Sequence, residues 1–432
     1  MRQFLYKFLM RKRIAVVEGT ATMIARYSTR QARERYQVAK FNEVWKMARE
    51  NVPFYRAWQA KYGLPDAIAD LNELKDWPIL TKADLRNLDN FRRKDVPYPR
   101  GHILTGGSTG EPVRLPSWGD SMAGVSQIMG RRAYGIKPGD RTFLLWGHEH
   151  LYGTGVERKV NAYKRRFKDW LAGWTRVSAY DLSGQAMLSA FDRFQKCQPK
   201  VVIGFSPAIL SFVRVNKARA EAVKSVKVVL CTAGPLDMNE KCEIEAFFGA
   251  RLCMEYGSVE CAIMAYTRPS DGEYDVFWHT HLIQAIKDGD EYKNIVTRLT
   301  QLYVPIIRYD IGDYLEAPDN EGSVLHVKSV KGRPSEVIHF ACGVSFFGAL
   351  IGDCVKQVAE VISSQIAVDE GADLMEIRVT AVDALARASL DLIKNRIELT
   401  VSNADKLTIK VIQVQKLFTT AGGKVPRIVR MK

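Results

Sequence analysis

Nowhere does the chain run for about eighteen apolar residues without charge, the length a membrane-crossing helix needs, so no transmembrane span is expected. Its seven cysteines, Cys197, Cys231, Cys242, Cys253, Cys261, Cys342 and Cys354, are odd in number and include no C-x-x-C pair. That argues against a disulfide framework and for buried free thiols in a reducing cytoplasm. No zinc-finger, RNP or basic-zipper pattern is present, so nucleic acid is not an expected partner. Walker A spacing is missing, as are internal repeats, low-complexity tracts and any Ser-His-Asp or Cys-His arrangement. What remains is the composition of a globular protein, 47% hydrophobic and 26% charged, in a chain of 432 residues that exceeds one ordinary core. Lys and Arg number 63 against 48 Asp and Glu, and the resulting +15 draws anions generally without naming one.

The opening stretch mixes apolar residues with Lys7, Arg11, Lys12 and Arg13, which breaks the apolar run a signal peptide requires. Up to Lys46, eleven basic residues stand against three acidic ones, interleaved with Phe4, Leu5, Phe8 and Leu9. Two readings fit: a helix packed on the protein with a solvated basic face, which is favoured, and peripheral contact with a membrane surface.

From Gln31 to Lys61 apolar positions recur at helical spacing, and Asn51-Val52-Pro53 interrupts them because proline cannot continue a helix. Thr81 is placed to cap a short helix over 82–85. Strands are expected at 102–105, 142–146, 200–204 and 227–232, alternating with helices over 186–196 and 207–220, the texture of an α/β sheet. Strand patterns dominate 273–325. Beyond Lys331-Gly332-Arg333-Pro334 the order reads strand, helix (348–364), strand, helix (381–398), strand, which suits a small α+β domain. The expected organisation is a basic helical segment over 1–50, a large domain over 51–331 and a small one over 332–432.

Five elements could carry chemistry. Thr105-Gly106-Gly107-Ser108-Thr109-Gly110 offers inward backbone N–H groups and hydroxyls for a phosphate, with an ordinary surface turn as the alternative. Tyr256-Gly257-Ser258-Val259-Glu260 presents a ring that could stack on a base and a carboxylate that could hold magnesium against phosphates. In Arg308-Tyr309-Asp310-Ile311-Gly312-Asp313, the last aspartate can accept both hydrogen bonds of a ribose diol, or be a turn residue. Gly332-Arg333 is the fourth. The fifth is Ala421-Gly422-Gly423-Lys424-Val425-Pro426-Arg427, where a lysine on a glycine-flexible loop can neutralise developing charge, or belong to a solvated basic tail.

In this order and at these separations the five elements resemble the adenylate-forming superfamily of acyl-CoA synthetases and peptide-synthetase adenylation domains. The similarity is to the branch of phenylacetate-CoA ligase, CapK and coenzyme F-390 synthetase, whose members carry text like Asn51-Val52-Pro53-Phe54-Tyr55 and Trp77-Pro78-Ile79-Leu80-Thr81-Lys82. It spans Asn51 to Arg427. The resemblance implies an α/β fold, with a large N-terminal multi-sheet domain and a small mobile α+β C-terminal domain. It implies that Thr105 to Gly110 surround the ATP phosphates, that Glu260 ligates Mg²⁺ and that Tyr256, with Gly257 and Ser258 beside it, lies along the adenine. Ala233 and Gly234 would line the adenine pocket, Asp313 would bind the ribose, Arg333 would support the nucleotide, and Lys424 would serve adenylation and then leave as the small domain rotates. Three positions depart from the family pattern: Val259 replaces threonine, Ser335 replaces the acidic or basic hinge residue, and Thr232-Ala233-Gly234-Pro235-Leu236 lacks an acidic residue.

By the same resemblance the acid pocket would be lined by Trp146, His148, His150, Phe205 and Ser206, an aromatic wall suited to an aryl or unsaturated acid. The pairs His148/His150 and His279/His281 lack accompanying ligands, so zinc is not expected. The activity implied is ATP- and Mg²⁺-dependent formation of acyl-AMP from a carboxylic acid, followed by transfer to the thiol of CoA or an acyl carrier protein. The basic cluster Arg158, Lys159, Lys164, Arg165, Arg166 and Lys168 could meet either acceptor. Adenylyl transfer to a hydroxyl acceptor and a catalytically degenerate nucleotide-binding protein are the alternatives.

Overall fold

The computed structural model describes residues 2–104, 114–118, 121–146, 155–177, 179, 184–232, 236–289, 291–316, 322–332, 337–347, 351, 354–355, 358, 360–381, 383–401, 403–418 and 428–431. Helix α1 (Arg2–Ala25) precedes α2 (Arg30–Asn51), whose N-cap Thr29 accepts from Ala32 N at 3.2 Å. Pro53 cannot extend α2, yet its fixed φ suits a first turn, so the chain restarts as α3 (Pro53–Tyr62). The expected interruption of the helical pattern falls there. After Thr81 the chain makes only a 3₁₀ turn, Asp84–Arg86, tied by the Thr81 hydroxyl donating to Asp84 Oδ2 at 2.6 Å.

Strands β1 (Gly101–Leu104) and β2 (Arg114–Ser117) pair antiparallel and are followed by α4 (Ser121–Ala133). Then β3 (Thr142–Leu145), α5 (Gly155–Ala172), β4 (Trp174–Val177), α6 (Gly184–Cys197), β5 (Val201–Phe205), α7 (Ser206–Val215), β6 (Val228–Thr232) and α8 (Met238–Phe248) alternate. The four strands run parallel in the order β4-β3-β5-β6. The apolar runs at β3, β5 and β6 announced themselves because those strands are buried on both faces. β4 did not, being four half-buried residues with an arginine among them.

Antiparallel strands follow: β7 (Arg251–Ser258), β8 (Ala262–Thr267), β9 (Tyr274–Val276), β10 (His281–Asp288), β11 (Glu291–Arg298), β12 (Tyr309–Leu315), β13 (Gly322–Ser323), β14 (His326–Val327) and β15 (Val330–Gly332). Their orders are β14-β9-β8-β7 and β13-β10-β11-β12-β15. The C-terminal stretch pairs β16 (Val337–His339) with β17 (Ser345–Phe347). It also builds a sheet β20-β19-β18-β21 from β18 (Val361–Asp369), β19 (Leu374–Ala381), β20 (Thr408–Gln413) and β21 (Ile428–Arg430), with α9 (Arg387–Thr400) packed against β20. Here two sequence expectations are corrected. Residues 361–364 belong to a strand, where β-branched Val361 and Ile362 fit the pleat better than a helix, and α9 starts six residues after the expected 381 because β19 continues through it.

The chain forms two compact units. One combines the N-terminal stretch through Gly139 with Cys253–Gly332; the other combines Asp140–Leu252 with the C-terminal stretch. In the first, Trp45 and Trp77 meet edge-on at 4.8 Å and Phe54 stacks on Phe91 at 4.5 Å. Tyr55 donates to Pro305 O at 2.7 Å, while Leu80 N donates to Arg308 O and Asp310 N to Leu80 O, both at 2.9 Å. The two motifs of the N-terminal text therefore clamp residues 305–310, the segment that enters β12, the strand carrying Asp313. The second unit holds a phenylalanine cluster in which Phe212 stacks parallel to Phe248, and a separate C-terminal core around Ile366, Ile377, Ile393 and Ile397.

Candidate active site

All of the chemistry that can be located in the first unit sits on the β7–β8 hairpin and on β11 and β12. Tyr256 lies near the end of β7 with its ring buried. Its hydroxyl donates to Asp313 Oδ2 at 2.9 Å and accepts from Asn294 Nδ2 at 2.7 Å. Burial, then the Asp313 charge, drives the Tyr256 phenol well above its ordinary pKa, so the proton stays on the tyrosine and the bond's direction is fixed. Asp313 follows a turn held by Gly312 N donating to Asp310 Oδ1 at 2.8 Å, with Gly312 at φ 81, a conformation a side chain would resist. The residue assigned to the base and the residue assigned to the ribose are thus in direct contact.

Gly257 admits no side chain: a Cβ there would lie 2.5 Å from Ala262 O, so the strands close tightly before the turn. Cys261 N donates to Ser258 Oγ at 3.0 Å. Cys261 O accepts from Arg298 Nη1 at 2.6 Å and from His281 Nε2 at 2.8 Å, and the other His281 nitrogen meets the Thr280 hydroxyl at 3.0 Å. Burial, and then the Arg298 charge, holds His281 well below the ordinary histidine range, so it is a neutral donor to that carbonyl. This pins the turn that displays Glu260, which is half-buried and has the Tyr309 hydroxyl 3.4 Å from Oε1. Val259, Glu260 and Ala262 border a cavity of about 260 Å³, with Trp118, Arg298 and Tyr303 among the facing residues. Among the described residues no group of His, Cys, Asp and Glu is disposed to hold a metal by itself.

In the second unit Trp146 and Phe205 follow β3 and end β5, at the carboxyl ends of adjacent parallel strands, the edge where open α/β sheets take ligands. Their rings lie 4.3 Å apart. Ser206 is buried and donates to Thr232 O at 3.2 Å, so its hydroxyl is tied to the sheet. Gly204 lets these strands approach, since a Cβ there would lie 2.9 Å from Leu145.

Thr105, Gly106, Gly107, Ser108, Thr109, Gly110, His148, His150, Ala233, Gly234, Arg333, Ser335 and Lys424 lie outside the described residues. Sequence reasoning missed Asn294, Tyr309, Arg298 and His281 as supports. Asn294 carried a faint signal, an amide in an otherwise β-favouring segment; the others support through contacts between distant segments.

No protein-family model matches the chain. It is 25% identical over 330 residues to the phenylacetate-coenzyme A ligase of Aromatoleum evansii, covering 71% of this chain and 72% of the relative. It is 24% identical over 318 residues to the protein CapK of Staphylococcus aureus, covering 70% and 68%. Among solved structures, a 2-hydroxyisobutyryl-CoA ligase in complex with 2-HIB-AMP and CoA superposes with a TM-score of 0.58 at 15% identity, covering 94% of this chain and 91% of that one. By sequence the chain is similar to phenylacetate-coenzyme A ligases and to CapK, and its fold is similar to that of the 2-hydroxyisobutyryl-CoA ligase.

Proposed function

We propose that the chain activates a carboxylic acid with ATP as an acyl-AMP, releasing pyrophosphate, and passes the acyl group to a thiol. The observation that carries this reading is the bond between Tyr256 and Asp313 beside the pinned Glu260 turn. It holds Asp313, read as the acceptor of the ribose diol, and Glu260 lies on the same unit of the protein. A carboxylate oxygen of the acid attacks the α-phosphorus, the bond to pyrophosphate breaks, and no side-chain nucleophile is needed. Asp313 accepts hydrogen bonds from the ribose hydroxyls and so holds the nucleotide in one position. Thr105 to Gly110 present donors to the phosphates, and Lys424 and Arg333 neutralise charge as the pentacoordinate phosphorus forms.

Mg²⁺ fits this donor set, because Mg²⁺ is usually held by one or two carboxylates together with substrate phosphates and waters, and Glu260 supplies one carboxylate beside a cavity. When bound there it would neutralise phosphate charge. The relatives named as CoA ligases support CoA as the acceptor. An acyl carrier protein remains a second thiol: Tyr163, Phe167 and Trp170 are exposed along α5 with Lys164, Arg166 and Lys168 between them, a face suited to an acidic partner. Trp146 and Phe205 support an aryl or unsaturated acid. The small C-terminal domain, 332–432, is read as the lid that carries Lys424.

The test is pyrophosphate release from ATP and Mg²⁺ across aryl and fatty acids, with and without CoA. Acid-dependent release, with thioester appearing when CoA is added, is the expected result. Release with AMP retained on a hydroxyl acceptor would replace the thiol step, and ATP binding without any release would mark a degenerate protein.

A further inference from the structure

Helix α1 is apolar on two faces. One face packs into the first unit. Val17 is buried, Tyr6 is half-buried, Arg2 and Gln3 donate to Gly139 O at 3.0 and 3.3 Å, and a Cβ on Gly124 of α4 would lie 3.1 Å from the Arg13 guanidinium carbon. The opposite face holds Phe4, Leu5, Phe8, Leu9 and Val16, which at 3.6 residues per turn fall within an arc of about 140°. Phe4 is 79% exposed, and the other four between 44% and 56%. Lys7, Arg11 and Lys12 are also exposed, with the Arg11 guanidinium 4.0 Å above the Phe8 ring, and Glu18 is the one acidic residue of the helix. Solvation explains an outward basic face; it does not explain five large apolar side chains among the cations.

We propose that this face of α1 docks on an anionic phospholipid surface, with Phe4, Leu5, Phe8 and Leu9 entering the headgroup boundary and Lys7, Arg11 and Lys12 meeting lipid phosphates. Charge selects this occupant. A second copy of the chain paired two-fold through the same face would set the cations against their own images, whereas an anionic bilayer complements them and accepts the apolar side chains. The contact is peripheral, because the inward face is already packed and no described helix is long and apolar enough to cross a membrane. It is independent of the adenylation reading.

The experiment is co-sedimentation of the full chain with phosphatidylcholine vesicles, with and without phosphatidylglycerol, across a salt series. Binding is expected only with phosphatidylglycerol, weakening with salt. Phe4→Ser/Phe8→Ser and, separately, Lys7→Gln/Lys12→Gln should each lower the partition coefficient by about tenfold. Circular dichroism and thermal midpoint of each variant report that α1 and the unit remain folded. Failure to bind phosphatidylglycerol vesicles overturns the proposal. So does salt-sensitive binding that survives the phenylalanine substitutions, since that is charge alone. A dimer that Phe4→Ser/Phe8→Ser converts to monomer would assign the face to self-association instead.

Discussion

Tyr256 donates to Asp313 at 2.9 Å while accepting from Asn294 at 2.7 Å, so one phenol orients the carboxylate assigned to the ribose. A ring lying along the adenine needs no hydroxyl for stacking. The hydroxyl's work is therefore separable from the ring's. Tyr256→Phe is expected to keep the fold and raise KM for ATP roughly tenfold, the worth of a hydrogen bond to a charged group. A cycle with Asp313→Asn checks the coupling: if the two losses simply add, the bond does not orient the carboxylate.

Glu260 is displayed by a turn whose Cys261 carbonyl is held by both Arg298 and His281. Removing the charge should act on metal use, and loosening the turn should act on everything. Glu260→Gln is expected to lower acid-dependent pyrophosphate release by about 10²-fold or more, with partial recovery at high Mg²⁺. Tyr309→Phe, which removes the long 3.4 Å contact to Glu260 but leaves its charge, should cost less than Glu260→Gln. Equal loss in both variants would remove Glu260 from the metal role.

Lys424 bears on only one half-reaction if it serves charge neutralisation at the α-phosphate. Lys424→Ala is expected to abolish acyl-AMP formation while largely sparing thioester formation from supplied acyl-AMP and CoA. The two rates are measured separately on the same preparation. Parallel loss of both would sink the assignment.

How far the sequence reached can be judged from particular residues. Val201-Val202-Ile203 and Val228-Val229-Leu230 declared buried parallel strands because continuous apolar runs have few other uses. Proline at 53 declared the end of α2. Tyr256, Glu260 and Asp313 each stand in a short motif, which is what singles them out in the sequence. The bond between Tyr256 and Asp313 was not legible there, because β7 and β12 are 57 residues apart at the contact and only the sheets bring them together. The same limit hid Leu80, whose backbone joins that of Arg308 and Asp310, and His281, whose role is a hydrogen bond to a carbonyl twenty positions away. The strand expected after 364 starts earlier, at Val361, because its first residues follow helix-compatible text and their register is set by β19.

Two buried histidines give the folded protein a predictable acid sensitivity. Neither ring nitrogen of His279 meets a partner among the described residues, and burial lowers its pKa from the ordinary 6.5 to about 4. His281 is also held well below that range, by burial and then by the Arg298 charge. Between about 4 and 6.5 the unfolded chain binds protons that the folded chain excludes, so stability rises with pH through that window and falls as pH drops through it. Above the unfolded value the effect is complete, and below the folded value no more is lost. One histidine so displaced contributes a slope of about 1.4 kcal/mol per pH unit inside the window. The thermal midpoint should therefore fall steeply on acidification. His279→Leu, which removes the titrating group without leaving a large cavity, should flatten the fall and leave the midpoint near neutral pH unchanged or raised. His281→Leu should also flatten it but lower the neutral midpoint, because it leaves the Cys261 carbonyl with one donor fewer. An unchanged slope in the His279 variant would mean that this ring is already protonated or hydrated in the folded protein.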